Sequence, residues 1–493
     1  MKFIKSNLIK YINFFPVILF CIYFLSKDYS SLGFFADDAN TLFILNQNIS
    51  FQQLFHHSHN WDAARDLHLI WQKIFIILSK PEIIQNLHLY QVIFFLINSF
   101  LLIKILQNFE LSNETCLIIW IFYLFFPAYS EVVFWTHAFT MVLISTFFFL
   151  IFILLNIFSI KKLKKFSNLI IQFLILITFI LTLFTYEQPI FAAFFLIVLI
   201  NFIKLKKKII NKKTFLSIAI FYFFLIALFS LYKLYSAGLF HADITKYHTG
   251  SKVNIDVQFL KNIFVSFSKI IFEIINIDIS VQILKKNYFL IIIFNFLIFF
   301  ALKNFFLKKK YFFKKKSIKK LKINILICFV FFILSFLPIY FHYLSDRHFY
   351  LPSIFMFIGL AFLIECIFFS ILNKAKFNIF FIFIIFLFCT KFMIQYDQKK
   401  YQNINNFQMK KFFYNEILDS NKININSKYI YLYDFPDLYK NEILFAHEQE
   451  LFLKVLKNNN NLPSIMRNPK EKNLNNSIHF KEIKYNKIIY DIK

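Results

Sequence analysis

Glycine is almost missing from this chain, 4 residues in 493, and no GxxxxGK segment occurs. That excludes a phosphate-cradling nucleotide loop, and with it an ATP-driven pump. Cysteine is scarce too. Cys21, Cys116, Cys328, Cys366 and Cys389 all fall in apolar runs, with no CxxC spacing. A zinc ribbon, a thioredoxin-type site and a disulfide framework are excluded on that ground. Acidic residues number only 27, against 55 basic ones. No A-x-A-like cleavage site follows the first apolar run, which Lys2, Lys5 and Lys10 precede, so it reads as a retained signal anchor. There is no visible internal repeat, and no inverted-repeat signature of a transporter.

What is present is hydrocarbon. Hydrophobic residues make up 59% of the chain, and the mean hydropathy is +0.60. A soluble protein of this size cannot hide that much apolar surface. The 77 Phe, with abundant Ile, Lys and Asn, follow the bias of an AT-rich genome and carry no functional message. A bilayer core needs roughly 20 apolar residues per helix. Runs of about that length lie near 11–26, 89–106, 115–130, 138–158, 167–184, 188–203, 214–234, 288–302, 323–343, 350–371 and 377–395. The expected fold is therefore an all-α polytopic membrane protein with about eleven transmembrane helices over residues 1–395.

Charge orients these spans. The segments on the side of the N-terminus (1–10, 104–114, 161–165, 204–213, 303–322 and 373–376) hold 26 lysines, and their only acids are Glu110 and Glu114. The opposite loops (27–88, 127–137, 185–187, 235–287 and 344–349) hold 11 basic residues and 13 acids. Basic loops stay in the cytoplasm, so the N-terminus is inside and residues 396–493 are outside. The net charge of +28 is then topological charge plus a basic tail, and nucleic acid is not expected as a partner. Lysine runs such as that near 308–322 meet anionic lipid.

The first outer loop contains WDAARDLHLIWQKIFIIL from Trp61, with Leu67, Ile70, Trp71 and Ile74 at helical spacing. It reads as an interfacial amphipathic helix with Trp61 and Trp71 at headgroup level. A second, weaker amphipathic stretch lies at about 257–280. The tail 396–493 is polar and rich in Asn and Lys. Residues 428–434 read as a strand, 435–437 as a turn, and Asn441 to Leu456 as a helix, giving a small αβ extracytoplasmic domain.

Four outer segments carry chemistry. Asp37 and Asp38 are adjacent carboxylates just past the first span; such a pair can act as a base or hold a divalent cation, or simply cap the helix that follows. Glu131 follows Pro127 at the outer end of the third span, with Trp135 and His137 beyond it. Glu187, in Tyr186-Glu187-Gln188-Pro189, is the only acid between residues 132 and 242, and a carboxylate beside hydrocarbon needs a partner or water. Arg347, in Asp346-Arg347-His348-Phe349-Tyr350-Leu351-Pro352, is the only Arg between residues 66 and 466; its planar fork grips phosphate. The plainer readings are a loop, a helix cap and an Asp346–Arg347 surface pair. His56, His57, His59 and His68 match no metal-ligand spacing. No span holds an ionisable chain suited to proton coupling; Glu365, near the cytoplasmic end of its span, is expected to snorkel.

Taken in order, these segments resemble the GT-C superfamily of membrane glycosyltransferases, which includes protein O-mannosyltransferases and the lipid A aminoarabinose transferase. The resemblance rests on the acidic pair Asp37-Asp38, the interfacial helices of loop 50–80 and the Pro127 to Trp135 segment. It continues through the Tyr186-Glu187 turn to Arg347-His-Phe-Tyr350-Leu351-Pro352-Ser353, the nearest match. It covers roughly residues 11–395. A Gly-Arg pair of relatives is Thr136-His137-Ala138 here, and a Lys-Glu turn is Tyr186-Glu187. The resemblance implies a bacterial cytoplasmic-membrane enzyme that takes a sugar from a polyprenyl-phosphate donor and inverts the anomeric centre. The acceptor, a glycan, lipid or protein, lies on the extracytoplasmic side. It implies Asp37 or Asp38 as catalytic base, Arg347 and His137 on the leaving phosphate, and Glu131, Glu187 and Tyr350 toward sugar or acceptor. A divalent metal on Asp37 and Asp38 stays open. The alternatives are a lipid-linked glycan flippase or other transporter, an O-antigen ligase or polymerase, and a structural membrane protein.

Overall fold

The computed structural model describes residues 45, 66–80, 83–109, 111–126, 129, 132–133, 135, 138–160, 165–236, 257–274, 287, 290, 293, 315–337, 346–371, 374–419, 429–434, 438–439, 442–443, 464–467, 477–484 and 487–492. The spans expected at 11–26 and 288–302 lie outside or almost outside them.

The described chain is mostly helical. In order it forms α1 (Asp66–Leu78), α2 (Ile83–Asn108), α3 (Asn113–Leu124), a π-turn (Phe139–Leu143), α4 (Ile144–Phe158), α5 (Lys165–Thr185) and α6 (Ile190–Lys206). There follow α7 (Lys212–Ser236), α8 (Val257–Ile274), α9 (Lys315–Phe336), a short 3-10 turn (Asp346–Phe349), α10 (Tyr350–Ile371) and α11 (Lys374–Asp419). Among the described residues, four stretches are long and apolar enough to cross a membrane: Asn86–Asn108, Phe139–Phe158, Phe166–Thr185 and Lys212–Tyr232. Leu67–Leu78, Asn113–Leu124, Ile323–Phe336 and Tyr350–Glu365 are apolar but shorter.

The helices bury polar groups and expose hydrocarbon, the reverse of a water-soluble bundle. On α2, His88, Gln91, Asn98 and Ser99 are buried, whereas Leu89, Ile93, Ile97 and Phe100 are exposed. α7 packs on α6 and leaves Leu216, Ile220, Phe221, Phe223, Phe224 and Leu228 exposed. In water such a surface is a large apolar patch; in lipid it is the solvated face. The chain is therefore a membrane protein built on apolar helices.

α2, α3, α4 and α10 form the centre, with α5 against α4, α9 against α10, and α6 between α9 and α7. α2, α4, α6 and α10 begin at one end of the bundle, where α3 and α5 finish. α3 finishes early, at Leu124, with Phe125 as its C-cap; Pro127 forbids continuation and pushes its predecessor out of helical conformation. The span expected over 115–130 is shorter for that reason. α10 covers the expected 350–371 in full. α11 runs on well past the expected end at 395, for 46 residues to Asp419.

The tail contains a four-stranded sheet in the order β4-β1-β5-β6, with β1 (Tyr429–Tyr433), β4 (Ser464–Arg467), β5 (Ser477–Lys484) and β6 (Lys487–Ile492). β1 is parallel to both neighbours, and β5–β6 is antiparallel. The strand expected at 428–434 is β1. The helix expected from Asn441 is corrected at its start: Glu442–Ile443 is a short strand, β3, paired with β2 (Leu438–Tyr439). Ladder bonds to β2 hold these residues extended.

Candidate functional site

α2 supplies the polar side chains that knit one end of the bundle. Gln91 Nε2 donates to Val132 O at 2.9 Å and to Trp135 O at 2.7 Å. It thereby fixes the backbone at Val132 and Trp135. Asn98 Nδ2 donates to Leu143 O at 3.0 Å and to the Tyr350 hydroxyl at 3.3 Å. Leu143 closes the π-turn, in which Ile144 N–H reaches back to Phe139 O. π-turns are rare and recur at functional sites.

Tyr350 opens α10 with no exposed surface, and its hydroxyl also meets that of Tyr123. Tyr129 OH meets Ser353 Oγ, which in turn donates to Tyr350 O at 2.8 Å. The three tyrosine rings are packed edge to face or tilted, with Tyr129 and Tyr350 centroids 4.6 Å apart. A third segment joins from the turn that precedes α6. Gln188 Nε2 donates to His348 O at 2.7 Å. The Tyr186–Pro189 turn and the Asp346–Phe349 turn are thus tied together. The bond leaves Gln188 Oε1 buried without a partner among the described residues.

Three of the four segments singled out in the sequence therefore meet: 127–137, 186–189 and 346–353. Asp37, Asp38, Glu131 and His137, and with them any metal on the acidic pair, lie outside the described residues. Arg347 lies in the 3-10 turn beside His348. Glu187 is half-buried in its tight turn, with Ile190 N–H bonded to its carbonyl. Tyr350 stands inside the bundle, its hydroxyl engaged by Tyr123 and Asn98. Among the described residues no three His, Cys, Asp or Glu side chains are grouped to hold a metal. His68, from the histidine cluster, meets Thr140 Oγ1 through Nδ1 at 2.9 Å; His56, His57 and His59 lie outside the described residues.

One sequence reading gains detail and one changes. On α1 the inward face is His68, Leu69, Gln72, Phe75 and Ile76, while Ile70, Trp71 and Ile74 are half-buried and Ile77 and Leu78 exposed. α1 is seated on the π-turn and α5, with a polar stripe inward. At the opposite end of the bundle, Glu365 does not snorkel. It is buried, and its carboxylate accepts from Ser112 N–H at 3.2 Å, Ser112 Oγ at 2.8 Å and Thr115 Oγ1 at 2.5 Å. It sits on the positive end of α3, where a carboxylate is stabilised. The lysine-rich stretch 204–213 closes α6 on this same side.

Gln91, Asn98 and Tyr123 were not singled out from sequence. The signal was there: His88, Gln91, Asn98 and Ser99 recur at helical spacing within an otherwise apolar run. Searches against protein-family models and against curated proteins found no match to this chain.

Proposed function

We propose that the protein is an inverting glycosyltransferase of the GT-C type, which moves a sugar from a polyprenyl-phosphate donor to an extracytoplasmic acceptor. In this reading about eleven helices over residues 1–395 hold the site, and residues 396–493 form an extracytoplasmic domain. The N-terminus is cytoplasmic and the membrane is a bacterial inner membrane. Asp37 or Asp38 removes the acceptor hydroxyl's proton. The acceptor oxygen then bonds to the anomeric carbon as the bond from that carbon to the phosphate oxygen breaks. Polyprenyl phosphate departs as an anion, for which Arg347 and His137 supply positive charge and hydrogen bonds. Glu131 and Glu187 orient sugar or acceptor. Tyr350 acts through position, since its buried hydroxyl holds the start of α10 behind Arg347.

The observation that supports this reading is the hydrogen-bonded meeting of segments 127–137, 186–189 and 346–353 at one end of the bundle. The segments that carry Glu187 and Arg347 are drawn to one place, as a site that handles a phosphate-linked sugar requires. One observation favours the transporter alternative, namely the buried polar line along α2. Its Gln91 and Asn98 amides, however, donate to backbone carbonyls and to Tyr350, so they work as interhelical ties.

The test is reconstitution of the purified protein in liposomes with synthetic polyprenyl-phosphate sugars and candidate acceptors. The expected result is acceptor-dependent release of polyprenyl phosphate, with inverted product and a loss of about a hundredfold in kcat for Arg347→Lys. Passage of intact donor across the bilayer with no cleavage supports transport instead and overturns the proposal.

A further inference from the structure

Gln72 is buried, 1% exposed, and neither its Nε2 nor its Oε1 meets a partner among the described residues. Buried amides are nearly always paired, so such an orphan calls for a reason. Its surroundings are defined by its neighbours on α1. His68, one turn before it, bonds to Thr140 Oγ1. Phe75, three residues after it, packs edge to face on Phe139 with ring centroids 4.9 Å apart. Residues three and four apart share a helix face, so the Gln72 amide is held against the first residues of the π-turn. The adjacent Trp71 presents an indole Nε1 that likewise has no partner among the described residues, and its ring lies 5.7 Å from that of Phe148. The cation of α1 is turned elsewhere: Lys73 Nζ donates to Leu45 O.

We propose that Gln72, held against the Phe139–Leu143 π-turn, and the adjacent Trp71, whose ring lies against Phe148, flank a subsite for an uncharged hydroxyl-bearing ring, the sugar of the lipid-linked donor. The ligand class follows from the groups. The amide offers donors and an acceptor, the indole one donor and an apolar face. A hydroxyl both donates and accepts, so it satisfies both ends of the amide; an ion satisfies only one. The naming of the sugar rests on the transferase reading, whereas the subsite rests on the orphaned amide.

The experiment uses the full-length protein in a polyoxyethylene detergent. It is titrated with octyl glucoside, galactoside and mannoside below micelle formation. Tetraoxyethylene octyl ether serves as the control with the same chain and no ring. Tryptophan fluorescence and thermal unfolding read binding without turnover. At least one glycoside is expected to bind saturably and the ether not. Gln72→Leu is expected to weaken that glycoside by about tenfold or more while unfolding at the same or a higher temperature. A wild type with no saturable response, or a Gln72→Leu affinity equal to wild type, overturns the proposal and leaves the amide to a trapped water. Glycoside binding without transfer from any donor leaves the subsite standing and removes the transferase reading. Transfer with an unchanged donor KM in Gln72→Leu does the reverse.

Discussion

Single hydroxyls and amides decide how this bundle is held, because hydrocarbon outside gives helices little reason to associate. The Tyr123–Tyr350 contact is the clearest case, since both rings are fully buried. Tyr350→Phe should lower stability by about 1–3 kcal/mol, as partner groups in the interior go unpaired. The Tyr123→Phe, Tyr350→Phe double variant should cost less than the sum of the singles, with a coupling of about 1 kcal/mol. Thermal unfolding in detergent measures both; strict additivity would deny the contact. Glu365→Ala removes the acceptor of Ser112 and Thr115 and should cost about 2–4 kcal/mol, with Glu365→Gln milder. A snorkelling Glu365 would tolerate either change. At this scale the sequence revealed residues that are singular in kind, such as Arg347 and Glu187. Asn98 and Gln91 escaped notice because an amide in an apolar run looks ordinary until a neighbouring helix supplies its carbonyl.

Elements were legible where one force dominates. The apolar runs became α2, α4, α5, α6, α7 and α10 with small shifts at their ends, since a long hydrocarbon stretch has few other ways to satisfy its backbone in lipid. α11 ran past its expected end because its second half is mixed in polarity, and its partners are remote. Phe413 packs on Tyr490 of β6 at 5.0 Å, and Tyr490 hydrogen-bonds Glu416. Burial first, and then the Glu416 carboxylate, pushes the Tyr490 phenol up to about 12. A raised pKa means that the folded state holds this proton more tightly. The contribution is therefore complete below the ordinary tyrosine value of about 10 and fades as pH climbs through 12. The junction of α11 with the sheet should loosen over that window. Hydrogen exchange of β6 amides measures it, after correction for intrinsic exchange, and Tyr490→Phe should flatten the dependence. An identical pH profile in wild type and variant would exclude Tyr490 as the cause.

Over the whole molecule, charge and hydrogen bonding agree on which ends of the helices belong together. The end bearing Glu365 carries the lysine stretch 204–213, and the other end gathers segments 127–137, 186–189 and 346–353. In a cysteine-free background, Lys207→Cys should react with an impermeant maleimide only after the membrane is opened, and Lys481→Cys should react on intact cells. The opposite pattern would invert the proposed orientation. The meeting of the three segments could not be read from sequence, because the bonds that make it link residues as far apart as Tyr129 and Ser353. The order of the motifs could be. The most direct measurement replaces Asp37 and Asp38 by Asn, singly and together, in the native host. Cell-surface glycans are then compared by mass spectrometry with wild type and with a deletion strain, at matched membrane levels of each variant. The account predicts that a stably inserted Asp variant loses the same sugar mass as the deletion, and that mass names the sugar. A double variant that keeps the wild-type glycans while the deletion loses them would contradict it.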